Sequence, residues 1–277
     1  MSDAVTAGTG RRVGTVGALR RYPVKSMLGE DLSAADVTER GVDGDRRFAL
    51  LDPRTGKVAS AKNPRLWRRL LTLSAATTED GVRITGPDGA ELDPDALAEF
   101  VGRPVTLTAE PPPGASLDRA DPEEVLHAGP AADVAVHAVG LPAGTFFDHS
   151  PLHLLTTATL DRIGELSPRG TVEVQRYRPN MVIRTEGGSG FVENGWIGRD
   201  LTVGPRLRLR ITVPTPRCAV PTLAHGVLPR DPEALRVPAR HNRVEPLAGM
   251  GPHPCAGVHA RVLVPGRIAR GDAVLLH

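Results

Sequence analysis

Residues 206–213, Arg-Leu-Arg-Leu-Arg-Ile-Thr-Val, place arginine and leucine in strict alternation, so leucines face one way and arginines the other. That is the period of a half-buried strand with a solvated basic face. Outward from it, strand-length segments recur between turn residues. Residues 199–204 (RDLTVG) precede it, and residues 257–264 (GVHARVLV) and 272–277 (DAVLLH) follow, split by Pro265-Gly266. Residues 173–185 (EVQRYRPNMVIRT) read as a further strand. In the first hundred residues the segments 16–24, 46–52, 57–61, 70–75 and 82–85 have the same character. Asp52-Pro53-Arg54-Thr55-Gly56 reads as a hairpin connection.

Helical signals are few. Residues 93–102 (DPDALAEFVG) open on an acidic residue and stop at glycine, residues 152–166 fit an amphipathic helix, and another helix is expected from Asp231 to about Arg243. Residues 111–130, with a triple proline and no core pattern, read as a surface connection or inter-domain linker. Residues 1–11 read as a disordered tail. The expected fold class is therefore mainly β with peripheral helices (α+β).

The 277 residues suffice for one large domain or two small ones, and 30 glycines with 26 prolines indicate a turn-rich globular chain. Only nine aromatic residues are present, too few for base-stacking platforms, so no nucleic-acid partner is expected. No apolar run spans a bilayer and the first residues lack a signal-peptide core, so a cytoplasmic protein without a membrane partner is expected. The net charge of +2 conceals an asymmetry: residues 1–150 carry seventeen basic and twenty-two acidic side chains, residues 151–277 seventeen and ten. All seventeen basic residues of the second half are arginine, whose planar fork suits phosphate or carboxylate.

Two cysteines cannot build a disulfide framework or a four-thiolate metal site. Cys218, in TPRCAVPT, has Arg217 beside it, and a cationic neighbour favours the thiolate that binds soft metals. A buried structural cysteine is the competing reading, and it is the stronger one for Cys255. No CxxC, HExxH, G-x-S-x-G, GxxxxGK[ST] or G-x-G-x-x-G framework appears. Arg178 and Asn180 flank Pro179, so two multivalent hydrogen-bonding side chains sit on stiffened backbone that can clamp a polar planar ligand.

Several ordered motifs carry a family resemblance. Residues 12–16 (RVGTV), 22–26 (YPVKS), 44–48 (GDRRF) and 63–66 (NPRL) resemble the N-terminal β-barrel domain of MOSC proteins. RYRPN, residues 196–204 (WIGRDLTVG), TPRC at 215–218 and residues 265–274 (PGRIARGDAV) resemble the MOSC domain itself. The resemblance implies a MOSC-type β-barrel over residues 131–277, preceded by a smaller N-terminal β-barrel domain over 12–110. It also implies a molybdenum cofactor, a pterin dithiolene with a phosphate. Cys218 would be the catalytic thiolate on the metal. Lys25, Ser26, Arg46 and Lys62 match positions that hold the cofactor's phosphate or pterin, and Asp148, His149, Ser150, Arg178, Asn180 and Arg217 complete the set.

Within that family the likeness runs to the amidoxime-reducing component and bacterial reductases of N-hydroxylated compounds. It implies reduction of N-hydroxylated or N-oxide small molecules, with electrons from a separate donor of ferredoxin, flavodoxin or cytochrome type. Proline at 216, where mitochondrial relatives have serine, and His149, in place of a small hydroxyl residue, depart from the pattern. The competing reading is a sulfur-transfer protein in which Cys218 carries a persulfide supplied by a pyridoxal-phosphate desulfurase.

Overall fold

A computed structural model describes residues 10–277. The alternation in 206–213 holds: Leu207, Leu209 and Ile211 are fully buried, whereas Arg208 and Arg210 lie at the surface edge and pair with Asp200. Their strand, Leu207–Pro216, is one of seven that close a barrel. Around the barrel the order is Leu152–Thr156, Met181–Thr185, Arg11–Arg21, Ala273–Leu276, Asp200–Val203, Leu207–Pro216 and His253–Val264, which pairs back onto Leu152–Thr156. All pairings are antiparallel except that of Leu152–Thr156 with Met181–Thr185. The barrel's contents are aliphatic, including Val16, Leu19, Leu154, Ile183, Leu209, Ile211, Val258 and Val274.

A second core gathers Val24, Met27, Leu50, Trp67, Leu70, Leu73, Ile84 and Leu97 from the first hundred residues. Here the hairpin forms as read: Ala49–Asp52 pairs with Lys57–Val58, and Gly56 takes φ +68. The helix Pro94–Val101 is capped by Asp93, whose carboxylate accepts the N–H of Ala96, and stops at left-handed Gly102. The helix Glu233–His241 falls inside its expected span.

Five expectations are corrected. Residues 152–166 are not one helix: Leu152–Thr156 is a strand and only Thr157–Leu166 is helical. All five strand residues are buried between two partners, so ladder pairing overrides the helical period. Thr156 then caps the helix through Thr159. Residues 173–185 split into the 3₁₀ turn Val174–Tyr177 and the strand Met181–Thr185, because Arg178 is left-handed (φ +55) and Pro179 has no N–H for a ladder. Residues 70–75 begin inside the 3₁₀ turn Arg68–Thr72, and the strand starts at Ser74.

Residues 111–130 are not a bare connection. They hold the strand Ser116–Ala120, paired with Val136–Gly140, and the helix Pro122–Ala128, capped by Asp121; Leu117, Ala120 and Val125 are buried. Of the tail expected at 1–11, residues 1–9 lie outside the described residues, and Arg11 already starts the first strand. Among the described residues no helix is long and apolar enough to cross a membrane.

Candidate cofactor cavity

All eleven candidate site residues named from the sequence line a single cavity of about 240 Å³. Its walls come from the turn after the first strand (Lys25, Ser26), the loop at Arg46, Lys62, the segment 148–150, the RYRPN turn, and the end of Leu207–Pro216 running into Arg217 and Cys218. Asp148, His149 and Ser150 lead into a strand, so no helix N-terminus contributes to anion binding there.

The charged part of the lining is one-sided. Lys25, Arg46, Lys62, Arg119, Arg178 and Arg217 face a single carboxylate, Asp148. Lys25 is only 4% exposed, and its Nζ donates to the Phe146 carbonyl and to Asp148 Oδ1, both at 2.7 Å. Lys62 Nζ reaches the same oxygen at 2.9 Å. Burial pushes the Lys25 ammonium down to about 8, against the opposing pull of Asp148 and with the help of Lys62. Burial by itself would raise the Asp148 carboxyl, but the two ammonium groups hold it well below the usual carboxylate range.

The backbone is strained at the same place. Among the described residues the non-glycine residues with positive φ are Ser26 (+66), Arg46 (+48) and Arg178 (+55), and all three line the cavity. Between the two arginines lies Tyr22, whose ring centroid is 4.3 Å from the Arg178 guanidinium and 5.1 Å from that of Arg46. Arg46 also pairs with Asp45, and Arg178 Nη1 donates to the Met27 carbonyl at 2.6 Å. Burial lowers Arg178 to about 10.

Three buried polar atoms of the lining have no partner: Arg178 Nη2, Arg217 Nε and Thr215 Oγ1. Unmet buried donors are costly, each by about 1–3 kcal/mol, so they mark where a hydrogen-bond-accepting ligand fits. Arg217 is otherwise fixed, its Nη2 donating to the Tyr177 carbonyl at 2.9 Å, and burial lowers its guanidinium. Cys218 is a free, half-buried thiol that packs on Ala61, Leu71, Val220 and Leu223.

Not every lining residue offers its side chain. Asn180 is 1% exposed; its Oδ1 accepts from the His153 N–H at 3.1 Å and its Nδ2 donates to the Arg20 carbonyl at 3.4 Å. Ser150 Oγ donates to the Ala260 carbonyl at 2.7 Å. Both hold the walls together. Cys255 is fully buried outside the lining, its Sγ donates to the Val244 carbonyl, and burial pushes the thiol up to about 11.

Of a row of three imidazoles at the cavity, the sequence pointed only to His149. The rings of His149 and His259 are tilted by 50° with centroids 5.3 Å apart, and His153 lies 5.8 Å from His259. Burial lowers His259 to about 3 and, with Arg217 and His259 adding to it, takes His153 well below its ordinary value, so both are neutral at physiological pH. His153 and His259 sit on adjacent strands in register, a pairing visible only once the barrel is known. Gly257, at φ +80, makes room for it: a Cβ there would lie 2.4 Å from His153 Nε2.

Fold and cavity define a β-barrel protein whose ligand chamber is polybasic and carries one accessible thiol. Residues 13–109 match the MOSC N-terminal beta barrel domain and residues 126–275 the MOSC domain, and the chain belongs to the MOSC domain family. It is similar to mitochondrial amidoxime-reducing component 1 of Homo sapiens, 26% identical over 301 aligned positions covering 96% of this chain and 84% of the relative. The Mus musculus protein of the same name is also 26% identical, covering 96% and 83%. Among solved structures, the YuaD protein of Bacillus subtilis aligns over 98% of both chains at 12% identity and a TM-score of 0.47.

Proposed function

We propose that the protein is an oxidoreductase that holds a molybdenum cofactor and reduces N-hydroxylated or N-oxide small molecules, drawing electrons from a separate donor protein. The observation that carries the reading is the Cys218 thiol in the wall of a cavity where six cationic side chains face one carboxylate and three buried polar atoms lack partners. Such a lining fits an anionic group rich in hydrogen-bond acceptors, and the similarity to amidoxime-reducing components supports the choice of cofactor. The chemistry this group supplies is removal of oxygen from substrate nitrogen, with two electrons and two protons yielding the reduced nitrogen and water.

In this reading Cys218 is the protein thiolate on the metal. Lys25, Lys62, Arg46 and the Ser26 turn hold the phosphate end, and Asp148 keeps the two lysines together. Arg178, Arg217 and Thr215 supply the donors that the protein leaves unmet. Asn180, Ser150 and His153 keep the surrounding strands in register.

Molybdenum and pterin content per chain, for wild type and Cys218→Ala expressed in a molybdate-fed host that makes the cofactor, tests the proposal. Near-stoichiometric metal in the wild type and a large loss or an altered metal spectrum in the variant are expected. Folded wild type free of metal and pterin, from a host that loads a control enzyme, overturns the reading and returns Cys218 to persulfide chemistry.

A further inference from the structure

The cavity's mouth carries apolar side chains that no anionic ligand requires. Pro246, Leu247 and Met250 line it from the loop 245–252, which joins the strands Arg243–Val244 and His253–Val264. Leu247 and Met250 are 45% and 47% exposed, among the few large apolar residues so open to solvent. Their loop is fixed by its own hydrogen bonds. Glu245 Oε1 accepts from the N–H groups of Gly249 (2.9 Å) and Gly251 (3.1 Å), Met250 N–H donates to the Leu247 carbonyl at 3.0 Å, and Arg243 Nη2 donates to the Pro252 carbonyl at 3.1 Å. Two apolar side chains held in place at the lip of a polar chamber form the apolar part of a ligand site.

Resting on the reductase reading above, we infer that Leu247 and Met250 form an apolar rim that receives the body of the substrate while its N–O group enters the polar interior. The rim selects N-hydroxylated compounds with an uncharged aryl or alkyl body. A polar or very small substrate gains nothing from it.

The test uses the molybdenum-loaded protein with reduced viologen as electron source, comparing wild type with the Leu247→Ser, Met250→Gln double variant. Both substitutions lie on an exposed loop, away from either core. For benzamidoxime, KM is expected to rise about tenfold with kcat within about twofold of wild type, while hydroxylamine, which has no body to bind, keeps both constants. Calorimetric titration of benzamide, a neutral non-reducible isostere, is expected to weaken by the same factor. An unchanged KM for benzamidoxime, or equal losses for both substrates, overturns the rim. If loaded wild type reduces neither substrate, the reductase reading falls separately. The titration still decides the rim: benzamide bound by wild type and lost by the variant retains it as a ligand-selecting element, and equal or absent binding removes it.

Discussion

Replacing Lys25 with methionine separates two forces that meet at one ammonium. In the folded protein burial takes this group from 10.5 to about 8, even with Asp148 at 2.7 Å. A base whose folded pKa is depressed destabilises the fold while protonated, and stability rises as pH climbs from about 8 toward 10.5. The shift of about 2.5 units at about 1.4 kcal/mol each amounts to about 3 kcal/mol at pH 7 and about 1 kcal/mol at pH 10. Methionine removes that penalty and fills the buried space, but it also removes the bond to the Phe146 carbonyl, worth about 1 kcal/mol. Cofactor-free Lys25→Met is therefore expected to be about 2 kcal/mol more stable than wild type at pH 7, with the gap gone by pH 10. Urea unfolding of both proteins at the two pH values measures it. A variant less stable at pH 7, or a gap unchanged between pH 7 and 10, refutes the argument that the site's cations are held at the expense of the fold. The cofactor-loaded variant should in turn retain less pterin, because an anion in the cavity is what the strained ammonium awaits.

Two further outcomes follow from positions outside the charged floor. Cys255→Ala should leave molybdenum content unchanged, because that thiol is pushed up to about 11 and faces the Val244 carbonyl; loss of metal on elemental analysis would place it at the site after all. Gly257→Ala forces a Cβ to 2.4 Å from His153 Nε2 and 2.5 Å from the Leu154 carbonyl at a left-handed φ. It should lower stability by about 3 kcal/mol in urea unfolding, and an unchanged midpoint would contradict the contact between those two strands.

The sequence made most of the barrel legible wherever one face of a strand is buried and the other wet, as in residues 206–213. It misled where pairing on both edges buries every residue: Leu152–Thr156 has no alternation, and its apolar spacing continues smoothly into the helix that follows. The charged site was legible in part because Lys25, Arg178 and Cys218 sit in short motifs, YPVKS, RYRPN and TPRC, that carry the family resemblance. The histidine row and the rim were not, since they depend on register between distant strands and on a loop without periodicity. The three left-handed non-glycine residues were equally hidden, because serine and arginine give no local sign of positive φ.

The position of Arg11–Arg21 in the barrel wall fixes the order of events in folding. Its neighbours are Met181–Thr185 on one side and Ala273–Leu276 on the other, so Gly14 meets Thr185 and Val274 across most of the length of the chain. As a ribosome makes this protein, the first strand can pair early only with Glu30–Leu32, and the rest of its edges stay open until residues 181–185 and then 273–276 appear. Closure of the barrel therefore waits for residues 273–276, and the polybasic cavity, walled in part by the turn that follows this strand, is completed only with it.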